Sequence, residues 1–532
     1  MYTDKLKAGR IILLTGLATL ICLADSVSAQ TILPEILTLC TRSRVQTGGP
    51  DSAFVVVCKA VQWQPAQTAI IICDVWDKHW CKGAAERVTE LAPTINEVVS
   101  IARGKGVLII HAPAETIRNY ENHPARKLAS AAPRAANLPA DITNWCNWKD
   151  EAEKKAGYPI DHSDGGCDCQ TKCKEGSPWT KQNDLIEIRD KDAISNNGVE
   201  IWNLLEQRKI TNVIVMGVHA NMCVLGRPFG LRNMARFGKN VVLMRDLTDT
   251  MYNSQMSPHV NHFTGTDLIV EHIEKFVCPT ITSACLTGKP AFRFKADNRP
   301  RVVFISAENE YKAAETLPEF ARELQMKFGL YCEVLQGDQN IRSPDRYKIC
   351  GMETLAAADL AVIFVRRRAF PAQQMQYLHD YLARGGPLVG LRTASHAFDT
   401  RGDTPPGYAD WPRFDPEVLG GNYNSHYGDG PTTTVTAAPA SINHPVLAGV
   451  QLPFTSIGSL YKASPLRDTT TLLLTGAIPD KQPEPVAWTN TYNKSRVFYT
   501  SLGHPDDFKN PQFRKILVNA IFWAINKSVP QR

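Results

Sequence analysis

Short continuous apolar runs recur along the chain, separated by stretches in which apolar residues return every three or four positions. In the first half the runs are TAIIICD (68–74), GVLIIHA (106–112), NVIVMGV (212–218) and NVVLMRD (240–246). Runs without polar alternation are the mark of strands covered on both faces. After the first run the spacing predicts a helix that Pro93 opens, with Ile95, Val98, Val99 and Ala102 on one face and an end near Gly104. A second helix is predicted in GVHANMCVLGRPFGLRNMARFG (217–238), between the last two runs. Strand–helix–strand repetition of this kind builds a doubly wound parallel sheet. Residues 113–185 are rich in loop-forming residues and read as an insertion over one end of that sheet.

The periodicity lapses at 279–299, which reads as a linker, and then resumes. Strands are predicted at RVVFISA (301–307), YCEVLQ (331–336), DLAVIFV (359–365), GPLVGL (386–391) and SRVFYTSLG (495–503). Helices are predicted at 317–329, 372–384 and 511–526. The fold class is therefore α/β, with two doubly wound parallel-sheet domains in tandem at 30–278 and 300–528. The halves share no internal repeat.

Composition changes this picture in two ways. The 532 residues, 43% hydrophobic and 21% charged, are ample for two cores. A net charge of +6 is dispersed, without a basic block or a basic–aromatic stripe, so nucleic acid is not an expected partner. At the N-terminus, Lys5, Lys7 and Arg10 precede the apolar run 11–24, and Val27-Ser28-Ala29 follows it. That order reads as a secretory signal peptide over 1–29, cleaved after Ala29. The expected destination is periplasmic or extracellular, with no membrane partner after cleavage. Bulky Ile21 before Cys22 argues against a lipidation site.

Export bears on the cysteines. Cys146, Cys167, Cys169 and Cys173 cluster in polar sequence, and an oxidising compartment favours disulfides among them. Zinc and free thiols are the alternatives. The Cys-x-Cys-x-x-x-Cys spacing lacks the paired knuckles of a structural zinc site, and the pairing itself is left open.

Candidate chemistry centres on Cys223, at the turn where the run 212–218 passes into a helix. A thiol attacks as its thiolate and needs a base and a positive environment. Asp74 closes an otherwise apolar run, and a carboxylate in that position demands a partner. Lys191, after the strand-like LIEIRD, is the candidate cation. With these three residues in order, residues 66–275 resemble the isochorismatase-like cysteine hydrolase family. The resemblance implies an Asp74–Lys191–Cys223 triad and a cis peptide between Val218 and His219. It also implies an oxyanion hole from backbone N–H groups near Met222 and Cys223, and hydrolysis of an amide-type bond in a small-molecule substrate. Trp76 stands where many relatives have Gln, Ala220 where Thr is common, and Gly226-Arg227-Pro228 where small residues are usual. Asp77, His79, His111, Glu115 and His123 do not reproduce the spacing of the metal site found in some relatives. No metal or cofactor is therefore assigned, and His219 is left between a substrate contact and a structural histidine.

The second half resembles the ThuA-like (trehalose utilisation) family through AENEYKAAETLPEF (307–320), GGPLVGLRTASHAF (385–398), VLGGNYNSHY (418–427), NHPVL (443–447) and VAWTNTYNKSRVFYTSLGHPDDF (486–508). That family is related in fold to class I glutamine amidotransferases, whose nucleophile would fall after GPLVGL. Arg392-Thr393-Ala394 stands there instead, which removes glutaminase chemistry. Glu310, His396, Trp411, His426 and His504 are the candidate lining of a carbohydrate pocket. Two functions follow: a hydrolase using Cys223, or a carbohydrate-active or sugar-binding protein acting through the second half. The oligomeric state is left open, a homo-oligomer included.

Overall fold

Fully buried apolar runs form the centres of two sheets, one in each half. A computed structural model describes residues 35–48 and 52–530; the leader expected at 1–29 lies outside the described residues. The first sheet contains β1 (Leu37–Gln46), β2 (Phe54–Trp63), β3 (Thr68–Cys73), β4 (Leu108–Ala112), β5 (Ala193–Ile194), β6 (Asn212–Val218), β7 (Asn240–Asp249) and β8 (Thr280–Ile281), in the order β2-β1-β8-β7-β6-β3-β4-β5. From β8 to β5 every pairing is parallel, and β1 and β2 add an antiparallel hairpin at one edge. β8 lies inside 279–299, so part of the expected linker is a strand of the first sheet.

The second sheet contains β9 (Arg301–Ala307), β10 (Tyr331–Gln336), β11 (Leu360–Val365), β12 (Leu388–Leu391), β13 (Thr433–Ala437), β14 (Phe454–Ser456), β15 (Thr471–Ala477), β16 (Glu484–Tyr492) and β17 (Ser495–Thr500). Their order is β10-β9-β11-β12-β17-β16-β15-β13-β14. It is parallel from β10 to β17 and antiparallel beyond. The second half is therefore a mixed sheet, not wholly parallel. Parallel strands need crossover helices, whereas the β17–β16 and β16–β15 steps are made through short turns.

Helix α1 runs over Lys82–Gly104 and contains Pro93, which was expected to open it. Buried Ala84, Val88, Leu91 and Ala92 extend the apolar face upstream of the proline. Burial of that face outweighs the ~3 kcal/mol penalty of an interior proline. Further helices are α2 (Gly198–Gln207), α3 (Cys223–Gly226), α4 (His262–Phe276), α5 (Ala313–Phe328), α6 (Ala372–Ala383) and α7 (Pro511–Ala524). None of the helices among the described residues is long and apolar enough to cross a membrane.

The β1–β2 hairpin joins the two halves. β1 pairs with β8 of the first sheet, while Val56 of β2 is buried in the second half's core with Leu317, Leu324 and Val334. Ion pairs follow the same seam: Arg42 meets Glu274 at 2.7 Å and Glu333 at 3.6 Å, and Arg245 meets Glu333 at 3.1 Å.

Candidate active site

The carboxyl ends of β3 and β6 come together because Gly217 of β6 lies opposite Cys73 of β3. A Cβ at Gly217 would stand 2.1 Å from the Cys73 carbonyl oxygen, and its φ of +110° suits glycine alone. Asp74 leaves β3 with a left-handed φ of 50° and is fully buried. Its backbone N–H donates to the Ala112 carbonyl at 3.1 Å. Its Oδ1 accepts the Ala114 N–H at 2.9 Å, and its Oδ2 accepts from Arg227 Nε at 3.1 Å, with Arg227 Nη2 at 3.0 Å. The Cys223 thiol hydrogen-bonds the same carboxylate.

Arg227 follows α3, four residues after Cys223, and so returns to the same face one helical turn on. The arrangement is a buried carboxylate, a thiol and a guanidinium. Burial raises the Asp74 carboxyl above its ordinary range, with Arg227 and the Cys223 hydrogen bond opposing it. Burial and the Asp74 charge push the Cys223 thiol well up, and Arg227 opposes that as well. The pair thus holds one proton between sulfur and carboxylate, and Arg227 balances the single negative charge.

Lys191 does not provide the cation. The stretch LIEIRD, expected as a strand leading to Lys191, is irregular, and the strand β5 begins only at Ala193. Because β5 runs parallel to β4, Lys191 stands at the amino end of the sheet, whereas Asp74 and Cys223 stand at the carboxyl end. It is exposed, beside Arg103, Glu187, Arg189 and Asp190. Arg227 could have been found from its i, i+4 spacing to Cys223, the one charged side chain in the otherwise apolar and small VLGRPFG.

The Val218–His219 peptide is cis. Of the two backbone donors expected for an oxyanion hole, the Met222 N–H donates to the His219 carbonyl at 3.0 Å, which leaves Cys223 as the remaining one of the pair. His219 is buried, and its Nε2 has no hydrogen-bond partner. Burial, reinforced by His79, depresses it to about 3, and burial takes His79 to about 4, so both imidazoles are neutral at physiological pH. Their rings meet edge-on at 5.0 Å. Trp76 stacks on Trp179 at 4.7 Å and donates its indole N–H to the Ala114 carbonyl. The insertion supplies further cover, since Trp145 packs against Gly226 and over Arg227.

Of the other residues considered for a metal, Asp77 accepts from the N–H groups of Thr180 and Lys181. His111 bridges Gln182 and Asp192, His123 accepts the Ala125 N–H, and Glu115 accepts from the Trp179 indole. Asp77 and His111 tie the insertion to the sheet, His123 and Glu115 make bonds within the insertion, and the four do not converge on one point. Cys146 is likewise apart from Cys167, Cys169 and Cys173. Its thiol lies by the Trp148 carbonyl and Arg236, and the place beside the other three is taken by Cys81. Among the described residues no two cysteines are joined by a disulfide.

In the second half, Arg392 ends β12 with a φ of 41°. Its guanidinium lies over the rings of Tyr311 (4.1 Å) and Tyr461 (4.8 Å) and donates to the Ser501 carbonyl at 2.9 Å. His396 stacks on Tyr423 at 4.6 Å and lines a cleft with Arg367, Asp415, Asn422 and Tyr423. Burial and then the surrounding arginines push His396 well below the ordinary histidine range. Asp415 was not foreseen. Burial raises it to about 7, its Oδ2 accepts the Tyr423 N–H at 2.7 Å, and its Oδ1 is buried without a partner. His426 and His504 flank the same aromatic group, beside Tyr461 and Tyr311. Glu310 is paired with Arg366 at 2.5 Å. Trp411 is elsewhere: its ring packs on His379 and Phe414 and its N–H donates to Glu417, so it belongs to the helix packing of the second core.

No curated protein matches the chain. Among solved structures it is similar to a cysteine hydrolase from Pseudomonas syringae pv. phaseolicola, with 16% identity over 42% of this chain and 91% of that one and a TM-score of 0.26. It is similar also to an isochorismatase family protein from Desulfovibrio vulgaris, with 16% identity, 42% and 97% coverage and a TM-score of 0.25. A ThuA-like protein from Parabacteroides merdae matches with 15% identity over 44% of this chain and 93% of that one, at a TM-score of 0.34. Residues 297–524 are matched by the family model described as ThuA, trehalose utilisation, so the chain carries a ThuA domain behind its N-terminal α/β half.

Proposed function

We propose that the N-terminal half hydrolyses an amide-type C–N bond of a small molecule through a thioester on Cys223. The observation that carries this reading is the single buried carboxylate of Asp74, bonded at once to the Cys223 thiol and to the Arg227 guanidinium. Asp74 accepts the thiol proton, and the sulfur attacks the carbonyl carbon as the π electrons move onto oxygen. The Cys223 N–H faces the oxyanion. The tetrahedral adduct collapses as Asp74 returns the proton to the departing nitrogen, leaving the acyl group on sulfur. Water then attacks the thioester, giving its proton to Asp74, and the thiol is restored. Arg227 keeps the net charge of the pair near neutral throughout, the role that the resemblance had assigned to Lys191. Incubation with a panel of small amides, followed by intact-mass measurement, tests the reading. A Cys223-dependent acyl adduct is expected, and turnover by Cys223→Ala would refute it.

A second reading, carbohydrate binding in the ThuA domain, is favoured by Asp415, whose buried Oδ1 is left for a donor such as a hydroxyl. Titration with trehalose and related sugars tests it against Asp415→Asn.

A further inference from the structure

Four cysteines outside the Cys223 pair converge from two distant parts of the chain. Cys81 immediately precedes α1, and Cys167, Cys169 and Cys173 belong to the insertion. The sulfurs of Cys81, Cys167 and Cys169 lie within 4.8 Å of one another, and Cys81 Sγ stands 3.8 Å from Cys169 Sγ. Four sulfurs each ~2.3 Å from a central zinc lie ~3.8 Å apart along the tetrahedron's edges. A disulfide would need ~2.05 Å. Cys173 packs on the same cluster and hydrogen-bonds Cys169.

The backbone is arranged for thiolates. The Gly83 N–H donates to Cys169 Sγ at 3.3 Å and the Lys82 N–H to Cys173 Sγ at 3.5 Å. Cys167 Sγ takes the N–H groups of Cys173 and Cys169. Three of the four sulfurs thus face at least one N–H, the outer-sphere pattern that stabilises metal-bound thiolates. Glycines make this close wrapping available. A Cβ on Gly83 would meet Cys169 Sγ at 3.5 Å and Asp168 Oδ1 at 3.3 Å, and one on Gly166 (φ +72°) would collide with the Met251 backbone at 2.3 Å. A zinc tetrathiolate carries a net charge of minus two, and Arg87 stands next to it, bonded to Asp168 between two of the cysteines.

We propose that Cys81, Cys167, Cys169 and Cys173 hold one zinc ion as a tetrahedral tetrathiolate that fastens the insertion to the start of α1. Four thiols lose four protons to solvent as four Zn–S bonds form, with no change of oxidation state. The site adjoins the Cys223 turn: Met222 packs on the cluster, and Asn221 exchanges two hydrogen bonds with the Met251 backbone, at 2.9 and 3.0 Å. The inference does not depend on the hydrolase reading, and its test reads metal rather than turnover.

The purified full-length chain should contain one zinc by elemental mass spectrometry. Replacement by cobalt(II) should give the strong visible absorption of a tetrahedral thiolate site. Cys169→Ser and Cys173→Ser should each lose at least tenfold in zinc affinity in competition with a chromogenic chelator. Should a variant fail to fold, alkylation of the wild-type chain decides, since these four thiols should become reactive only once a chelator is added. A chain that takes up no zinc under reducing conditions, holds iron instead, or yields a disulfide between any two of the four on peptide mapping would overturn the proposal.

Discussion

Both halves end a central strand on a residue with left-handed backbone, Asp74 at φ 50° and Arg392 at φ 41°, and the two carry opposite charges. Around Asp74 the neighbours are a thiol and a guanidinium, so the buried charge is balanced and a proton can move between sulfur and oxygen. Around Arg392 the neighbours are tyrosine faces and carbonyl oxygens, which hold the cation without offering it a nucleophile. Backbone strain at such a strand end positions a side chain in either case. What differs is the reactivity of the neighbours. The ThuA domain keeps the neutral His396, four residues after Arg392, and Asp415, from a separate helical turn, together in another cleft.

The sharpest way to break this comparison is to silence one end and watch the other. Cys223→Ala should lower amide hydrolysis about 10⁴-fold and abolish the acyl adduct, while His396→Ala leaves both unchanged; steady-state assays and intact mass check this. Arg227→Met comes next. It strands a buried carboxylate, so unfolding by denaturant should show a loss of about 3–5 kcal/mol. The acid limb of the pH–rate profile should also move upward, as Asp74 loses its opposing cation. Arg227→Lys should restore part of both.

Asp415 gives a smaller effect confined to the second half. Its folded carboxyl titrates near 7, against roughly 3.9 in the unfolded chain. Between those values the folded state holds the extra proton, so its contribution is full below pH 4 and is lost as pH rises through 7. The difference amounts to about 4 kcal/mol. Asp415→Asn should flatten this slope, matching the wild type in melting temperature at acid pH and exceeding it above neutrality. The smallest effect is expected of Lys191→Ala. It should leave both rate and melting temperature unchanged, since Arg227 occupies the place beside Asp74; a loss of activity would return the cation's role to the lysine.

The sheets were legible where the chain is buried on both faces. The runs that became β3, β4, β6, β7, β9 and β11 carry no polar alternation to confuse them. β5 was not legible, because two residues make no pattern, and that error put Lys191 at the wrong end of the sheet. Asp74 and Cys223 were legible as polar interruptions of apolar sequence. Cys81 was not, since its partners lie more than eighty residues away and only the fold of the insertion brings them together. Asp415 was hidden for a related reason: its burial comes from packing, as an acidic residue amid turn-forming neighbours reads as solvent-exposed.

The β1–β2 hairpin has a consequence for biosynthesis. It leaves the ribosome before the other strands of either sheet, yet β1 finds β8 only after residue 281 has emerged, and Val56 finds its surroundings only after β10 is made. A growing chain therefore carries an unclosed sticky edge through most of its translation, the kind of exposed strand that chaperones shield. Splitting the gene at the junction between the halves would make that interval permanent for Val56: β1 could still pair with β8, but the face of β2 that Val56 presents to the second half's core would stay bare.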